Sequence, residues 1–419
     1  MHPRNRYREA PDFSSLATDY PPLRPYIVRN GDGGNTIDFK DDAAQRRLTE
    51  ALLHRDFDIS LSIPNNRLCP PVGYYDALNY VLWIQDLVQM TTLEQRELVR
   101  GIDIGTGASA IYPLLACRLC ATWNFVCTDI DELSIQYAKS NVERNGLADR
   151  ICILKATPAE SIFFPLNQNR DTAIDFTMCN PPFYSSAEDV TRSAEAKEVG
   201  PNAVCTGAEV EMITPGGESQ FVCAMVRESV ELQDRCRWYT SMLGKLSSLS
   251  EVVTLLRSHS IDNYAITELV QGMTRRWVIA WSFGDIRLPD ALARISNPAL
   301  HNLMPARTTL HQPLPHVPHP LVLSSVLSSM KGVIISSVPT QAGALLASAV
   351  ANTWTRAARR KLGDVTVDSG TSPQLVCRVC VVQDDEGPIV EFVWVKGRDR
   401  SLFESFVNHV GRKIREVVK

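Results

Sequence analysis

Short apolar runs alternate with segments of helical period through the middle of the chain. The run Gly101-Ile102-Asp103-Ile104 predicts a buried strand, followed by a glycine turn and a helix starting near Ala108. Trp123 to Asp129 predicts a second strand, and Glu132 to Asn145 a helix that Gly146 ends. Ile151–Leu154 and Ile174–Cys179 predict further strands. Then come a helix over Glu218–Arg235, a strand over Arg237–Leu243, a helix from Lys245 to about Arg257, and strands near Tyr264–Val270 and Arg276–Phe283. This order predicts an α/β domain, its sheet mainly parallel and closed by an antiparallel strand.

The flanks read differently. Residues 1–40, rich in Pro, Arg and Tyr, predict an irregular arm. Helices are expected from Asp42 to His54 and from Tyr75 to Met90. Residues 184–217 are polar and glycine-bearing without a period, which reads as a gating loop or a surface insertion. The prolines at 289, 298, 305, 313, 315, 318 and 320 predict a linker. Beyond it, strand-like stretches are expected over Leu321–Ser337 and a helix over Thr340–Leu362. Strands over Leu375–Val382 and Ile389–Val395 and an amphipathic helix over Arg400–Val418 complete a small α+β module. The expected organisation is an extension over 1–95, a catalytic domain over 96–288, a linker over 289–320 and a C-terminal module over 321–419.

Composition narrows the class. Hydrophobic residues make up 44% of the 419, ample for cores. No apolar run is long enough to span a bilayer, and the N-terminus lacks a signal-peptide core, so a soluble intracellular protein is expected. The 11 cysteines are scattered and odd in number, against a complete disulfide framework. Cys117/Cys120 and Cys377/Cys380 form two CxxC pairs too far apart for a usual zinc ribbon, and His311, His316 and His319 lie in the proline-rich stretch, so no metal is expected. The net charge of −4 does not advertise nucleic acid, but basic clusters exist at Arg4/Arg6/Arg8, at 356–361, at Lys396/Arg398/Arg400 and at Arg412/Lys413/Arg415. Each reads as a phosphate site or as a solvated face.

The chemistry is concentrated at Asn180-Pro181-Pro182-Phe183, directly after the Ile174–Cys179 run. An adenine amino nitrogen is a poor nucleophile because its lone pair is delocalised into the ring. An Asn oxygen and a backbone carbonyl can each accept one of its N–H groups, drawing the nitrogen toward tetrahedral geometry. Pro181 and Pro182 lock the backbone that aims the carbonyl, and Phe183 offers a face to a base. Upstream, Gly105 and Gly107 permit close approach of a ligand, and Asp129 ends the second strand where an acid can bind ribose hydroxyls. With no third glycine and no basic residue in the turn, a nucleoside lacking a pyrophosphate is favoured over NAD. S-adenosylmethionine (SAM) is the candidate, and a dinucleotide is the alternative.

These residues resemble the methyltransferase-like sixteen family of adenine-N6 RNA methyltransferases. The resemblance is carried by Met1–Tyr7, Gly101–Ser109, Met178–Phe183, Gly216-Gly217-Glu218, Arg237-Trp238-Tyr239 and Arg276-Trp277. Val393–Arg400 resembles that family's vertebrate-conserved region. It implies a Rossmann-like class I SAM-dependent methyltransferase with a helical N-terminal extension and a C-terminal RNA-binding module. It implies SAM as donor and structured RNA, above all a U6 small nuclear RNA hairpin, as partner. It assigns Asn180, Pro181, Pro182 and Phe183 to the adenine, and Gly105, Gly107, Ser109, Asp129 and Asn180 to SAM. Arg4, Arg6, Arg276, Lys396, Arg398 and Arg412 become the candidate RNA contacts. A monomer in the nucleus, with some in the cytoplasm, is expected.

Two positions depart from the pattern. Ala77 stands where the family has an Arg near the SAM carboxylate, a loss worth about 1.5–3 kcal/mol of affinity unless another basic residue substitutes or the segment is a gene-model artefact. The 187–210 segment holds Arg192 and Lys197 but no Arg/Pro-rich run. Two other functions stay open. The methyltransferase region also resembles fungal phosphoryloxytryptamine N-methyltransferases, although Met242 and the C-terminal module favour RNA. A non-catalytic RNA-binding protein is the third reading, motivated by Ala77.

Overall fold

The computed structural model describes residues 1–9, 11–31, 33–67, 75–91, 98–168, 173–195, 208–271, 274–338, 341–356, 358, 360, 372–385 and 387–418. They form two compact units. The first comprises Met1–Phe283 with Asn297–Leu303, and the second Gly284–Ser296 with Met304–Lys419.

The first unit begins with α1 (Phe13–Asp19), a β1–β2 hairpin (Ile27–Arg29 and Asn35–Ile37), α2 (Asp42–Phe57) and α3 (Tyr75–Thr91). The arm expected to be irregular therefore contains regular elements. Its first residues are fastened to α3: Asn79 Oδ1 accepts from the His2 backbone N–H and from Asn5 Nδ2, both at 2.9 Å. One buried amide oxygen thus takes a backbone and a side-chain donor from the arm and holds it on α3.

The doubly wound core follows as β3 (Val99–Ile104), α4 (Ile111–Leu119), β4 (Trp123–Asp129), α5 (Glu132–Arg144), β5 (Ile151–Lys155), α6 (Phe164–Gln168) and β6 (Ile174–Cys179). Next come α7 (Ala187–Glu195), α8 (Glu209–Met212), α9 (Gly217–Leu232), β7 (Cys236–Leu243), α10 (Leu246–Ser258), β8 (Tyr264–Gln271) and β9 (Thr274–Trp281). The seven strands lie in the order β5-β4-β3-β6-β7-β9-β8, all parallel except β9. Asp131 caps α5 by accepting from Ser134 N, and Gly146 ends it at φ +64°. Beneath the site, Phe125 and Phe176 meet edge to face at 5.6 Å. Gly101 makes room for them, since a Cβ there would lie 2.6 Å from Phe176 and 2.8 Å from Phe125.

Two expectations are corrected in this unit. The helix after the glycine turn starts at Ile111 rather than near Ala108, because Ala110 adopts φ +48° and delays it. Residues 184–217 contain α7 and α8, so the described part is not a featureless loop; Lys197 and the rest of 196–207 lie outside the described residues.

The second unit holds α11 (Asp290–Ala293), β10 (Thr309–Pro313), α12 (Leu321–Ser328), β11 (Val333–Ser337), β12 (Leu345–Ala349), β13 (Leu375–Asp384), β14 (Gly387–Lys396) and α13 (Arg400–Val418). Its antiparallel sheet runs β10-β14-β13-β12-β11. Alternate residues of the central strands (Leu375, Cys377 and Val379; Val390, Phe392 and Trp394) share a core with α12 and α13. The expected linker is therefore wrong in its middle: residues 309–313 pair with β14. Of the prolines that suggested a linker, Pro313 lies in this strand, at its last residue, and an edge strand tolerates it because one of its sides needs no N–H donors. The first part of the helix expected over Thr340–Leu362 is instead β12 at Leu345–Ala349, while Arg356, Ala358 and Arg360 are helical, and the strand expected at the start of Leu321–Ser337 is α12. Arg359 and Lys361 lie outside the described residues.

Candidate active site

β3 is the strand at which the sheet order reverses, with β4 on one side and β6 on the other. In open α/β sheets ligands bind in the crevice at that point, beyond the carboxyl ends of the strands. The chemistry-bearing residues sit there: Gly105–Ser109 after β3, Asp129 at the end of β4, and Asn180–Phe183 after β6.

The glycine turn is tied to β4. Gly105 N and Thr106 N donate to the Thr128 carbonyl at 2.9 and 3.0 Å, and Gly107 N donates to Asp129 Oδ2 at 2.8 Å. Asp129 Oδ1 accepts from Asp131 N at 2.9 Å. Each oxygen keeps further acceptor capacity, so the acid can still meet a diol. Burial pushes the Asp129 carboxyl upward, opposed by these N–H donors. A Cβ at Gly105 would meet nothing within 4 Å, so the turn faces open space. Ser109 is buried, at 6% exposure.

Sequence reasoning missed Asp103. It lies inside β3, is 1% exposed, and neither carboxylate oxygen has a hydrogen-bond partner among the described residues. Burial pushes its pKa up to about 7, with the nearby Thr106 hydroxyl opposing and the Asp129 charge adding to the rise. An isolated buried carboxylate calls for a cation. The signal was present as an acid between two isoleucines in the buried half of a strand whose other charged residue, Arg100, is exposed near its start. The orphaned carboxylate, the open glycine turn and the Asp129 acceptor together fit a nucleoside that carries an ammonium group.

All of β6 is buried, and its end is pinned by Thr240 and Tyr80. The Thr240 hydroxyl donates to the Thr177 carbonyl at 2.6 Å. The Tyr80 hydroxyl lies 2.5 Å from Thr240 Oγ1 and accepts from Cys179 N at 3.3 Å. Asn180 follows immediately, and its Oδ1 is buried with no partner among the described residues. Pro181 is buried. Beyond Phe183, Tyr184 N donates to the Met212 carbonyl and Thr214 N to the Tyr184 carbonyl, both at 3.0 Å. The motif therefore presents an unused amide oxygen from a backbone held at both ends.

Phe183 is enclosed. A Cβ added to Gly244 would lie 3.1 Å from its Cδ1, so the β7–α10 turn rests against the ring. The Arg276 guanidinium is centred 4.6 Å from the ring centroid, and its Nε lies 3.3 Å from Asp76 Oδ2. Burial raises the Asp76 carboxyl while Arg276 lowers it, with a net upward shift. Ala77, beside Asp76, is buried at 9% exposure and offers no charge. Tyr74 and residues 71–73 of that segment lie outside the described residues.

The other basic candidates lie elsewhere. Arg4 reaches the Asp86 carboxylate and Gln85 from the arm. Arg6 pairs with Asp56 at 3.4 Å and lies over Phe57 at 5.3 Å. In the second unit, Lys396 Nζ lies 3.8 Å from Asp285 and Arg412 pairs with Glu416 at 2.6 Å, while Arg398 is exposed. The Val393–Arg400 motif also has a structural part. Trp394 stacks on Phe403 at 5.3 Å and under Arg287 at 4.4 Å, and Asp399 caps α13. Among the described residues, no three His, Cys, Asp or Glu side chains form a group able to hold a metal, and no helix is long and apolar enough to cross a membrane.

Strand order, glycine turn, strand-end acid and the Asn-Pro-Pro-Phe corner define a Rossmann-like class I methyltransferase fold. Residues 1–285 match the family described as RNA methyltransferase, and the chain belongs to that family. It is 41% identical to the RNA N6-adenosine-methyltransferase METTL16 of Mus musculus over 294 residues, 69% of this chain and 53% of the mouse protein. The chain thus spans about half the length of that relative. Longer matches are the METTL16 of Danio rerio, 34% identical over 96% of this chain and 94% of the relative, and the U6 small nuclear RNA (adenine-(43)-N(6))-methyltransferase of Schizosaccharomyces pombe, 35% identical over 93% and 97%. Among solved structures, the human METTL16 catalytic domain with a MAT2A 3'UTR hairpin gives a TM-score of 0.61 at 40% identity, covering 68% of this chain and 95% of that one. The human N-terminal domain with SAH gives 0.57 at 40% identity, covering 68% and 99%.

Proposed function

We propose that this chain is an RNA adenine-N6 methyltransferase that uses SAM and acts on a structured RNA, with U6 small nuclear RNA as the leading substrate and the nucleus as its place of work. The observation that carries the reading is Asn180 Oδ1, a buried acceptor without a partner among the described residues, on a backbone pinned at both ends. That oxygen and a motif carbonyl accept the two N–H groups of a flipped adenine and localise its lone pair. Phe183 holds the base plane. Asp103 meets the ammonium group of the donor, Asp129 its ribose, and Gly105, Gly107 and Ser109 line its approach. When bound, SAM supplies an electrophilic methyl group. The chain's task is to hold the amino nitrogen in line with it and to keep water away.

The match to the fission yeast U6 enzyme along nearly its whole length favours RNA over a small amine, because it includes the second unit. Arg4 and Arg6 in the first unit and Lys396, Arg398 and Arg412 in the second are the proposed phosphate contacts.

The test is methyl transfer from labelled SAM to U6 RNA, to the same RNA with its target adenine replaced, and to 4-phosphoryloxytryptamine. Label on the unaltered RNA alone, abolished by Asn180→Ala, is the expected result. Label on the tryptamine alone would move the assignment to a small-amine methyltransferase, and RNA binding without any transfer would make the chain a non-catalytic binder.

A further inference from the structure

Arg276 stands out among the basic residues singled out in the sequence because its geometry suits a task other than phosphate binding. It lies on β9 next to Trp277, which pairs with Leu243 at the end of β7. Its guanidinium is centred 4.6 Å from the Phe183 ring centroid. Its Nε lies 3.3 Å from Asp76 Oδ2, and Nη1 lies 3.9 Å from Met242 Sδ. Asp76 belongs to the first turn of α3, and its other oxygen is buried without a partner among the described residues. A carboxylate from one element therefore fixes a planar cation against an aromatic ring carried by another. A guanidinium over a ring face is held by the ring quadrupole, and more strongly where water is partly excluded. Its charge is already partly neutralised by Asp76, which leaves less of it for a phosphate.

We propose that Arg276, aimed by Asp76, is a positioning residue that backs Phe183 and so fixes the angle at which the ring receives the target base. The proposal rests on the RNA adenine reading above. It also gives the Asp76 carboxylate a task, since its Oδ2 orients Arg276. Lys is not equivalent to Arg here, because an ammonium cannot lie flat on a ring and pair sideways with a carboxylate at once.

The test uses the full chain with Arg276→Lys, Arg276→Gln and Asp76→Asn. Three quantities are measured: kcat and KM for methyl transfer to RNA, RNA affinity across a salt series, and the fluorescence change on binding RNA with 2-aminopurine at the target position. The expected result is RNA affinity within about twofold of wild type at every salt concentration, with kcat reduced about tenfold in both Arg276 variants. Asp76→Asn moves the same way by a smaller factor, and the 2-aminopurine signal falls in all three. SAH binding serves as the fold control; should Arg276→Gln fail it, Arg276→Lys and Asp76→Asn carry the comparison. Unchanged kcat with weaker RNA binding and a flatter salt slope would overturn the proposal in favour of a phosphate contact. Wild-type kinetics in every variant would overturn it outright. A wild-type protein that methylates no RNA sinks the RNA reading itself, whereas active wild type with unchanged Arg276→Lys sinks only the role given to Arg276.

Discussion

The Glu218 carboxylate accepts the backbone N–H of Gly244 at 2.6 Å, and its other oxygen accepts that of Lys245 at 2.7 Å. Glu218 is 1% exposed and lies in the first turn of α9, where the helix dipole favours a negative charge. The pair fastens the β7–α10 turn, and that turn touches Phe183. The Gly216-Gly217-Glu218 stretch thus acts on the base-holding ring through Gly244, without facing the site itself.

Removing the carboxylate should therefore cost both fold and site. Glu218→Ala leaves two N–H groups without their acceptor, at a cost of about 2–3 kcal/mol. Glu218→Gln keeps one acceptor and should lose roughly half as much. Urea unfolding followed at the tryptophans measures both, and equal stability of the Ala and Gln variants would contradict the two-bond account.

Gly244→Ala separates site from fold. The new Cβ would sit 3.1 Å from Phe183 Cδ1 and 3.2 Å from Glu218 Oε2. Phe183 is only partly buried, so a ring shift of a few tenths of an ångström is the expected response and the melting temperature should move little. Displacement of a substrate-holding group should still lower kcat about ten- to a hundredfold. A variant that methylates RNA at the wild-type rate would show that Phe183 does not need this wall.

The first unit was legible because its elements carry clean periods: apolar runs such as Ile174–Cys179 form buried parallel strands and Glu132–Arg144 an amphipathic helix. The glycine turn, Asp129 and Asn180–Phe183 were legible as motifs, and the fold gathers them at one switch point. Tyr80, Glu218 and Asp103 were not read as parts of the site. Their roles depend on Thr240, Gly244 and an open crevice, partners set by tertiary packing and far away in sequence. In the second unit, Thr340–Leu362 was expected to be a helix, yet Ala347 and Ala349 are small residues of a strand that share a core with α12 and α13. Packing overrode local propensity there.

Asp103 gives a pH signature with a definite sign. Its folded pKa is raised to about 7 by burial, above its unfolded value. The stability linked to this group is fully present below the unfolded pKa and is lost as pH rises through about 7. Ligand-free protein should thus lose stability from this group as pH rises from acid to neutral. Asp103→Asn should remove that slope and melt higher than wild type at pH above 7. SAH, which carries the ammonium group, should bind wild type more tightly as pH rises through the same window and bind Asp103→Asn weakly throughout. Thermal melts and calorimetry across the pH series check both limbs. A wild-type SAH affinity that is flat with pH would mean Asp103 does not meet the ammonium.

Gly397→Ala tests whether the Val393–Arg400 motif serves structure before it serves RNA. Gly397 adopts φ +145°, and a Cβ there would lie 2.7 Å from the Gln374 carbonyl and 2.8 Å from Trp394 Nε1. The first neighbour is backbone, and the second is a ring held between Phe403 and Arg287. Neither can yield cheaply, so the turn between β14 and α13 should be displaced at a cost of about 3 kcal/mol. Hydrogen exchange should report lost protection in β13, β14 and α13, with β3–β7 of the first unit unchanged. RNA affinity should fall along with that protection, although no basic side chain has been removed. Normal protection with weakened RNA binding would instead make Gly397 part of the RNA surface itself.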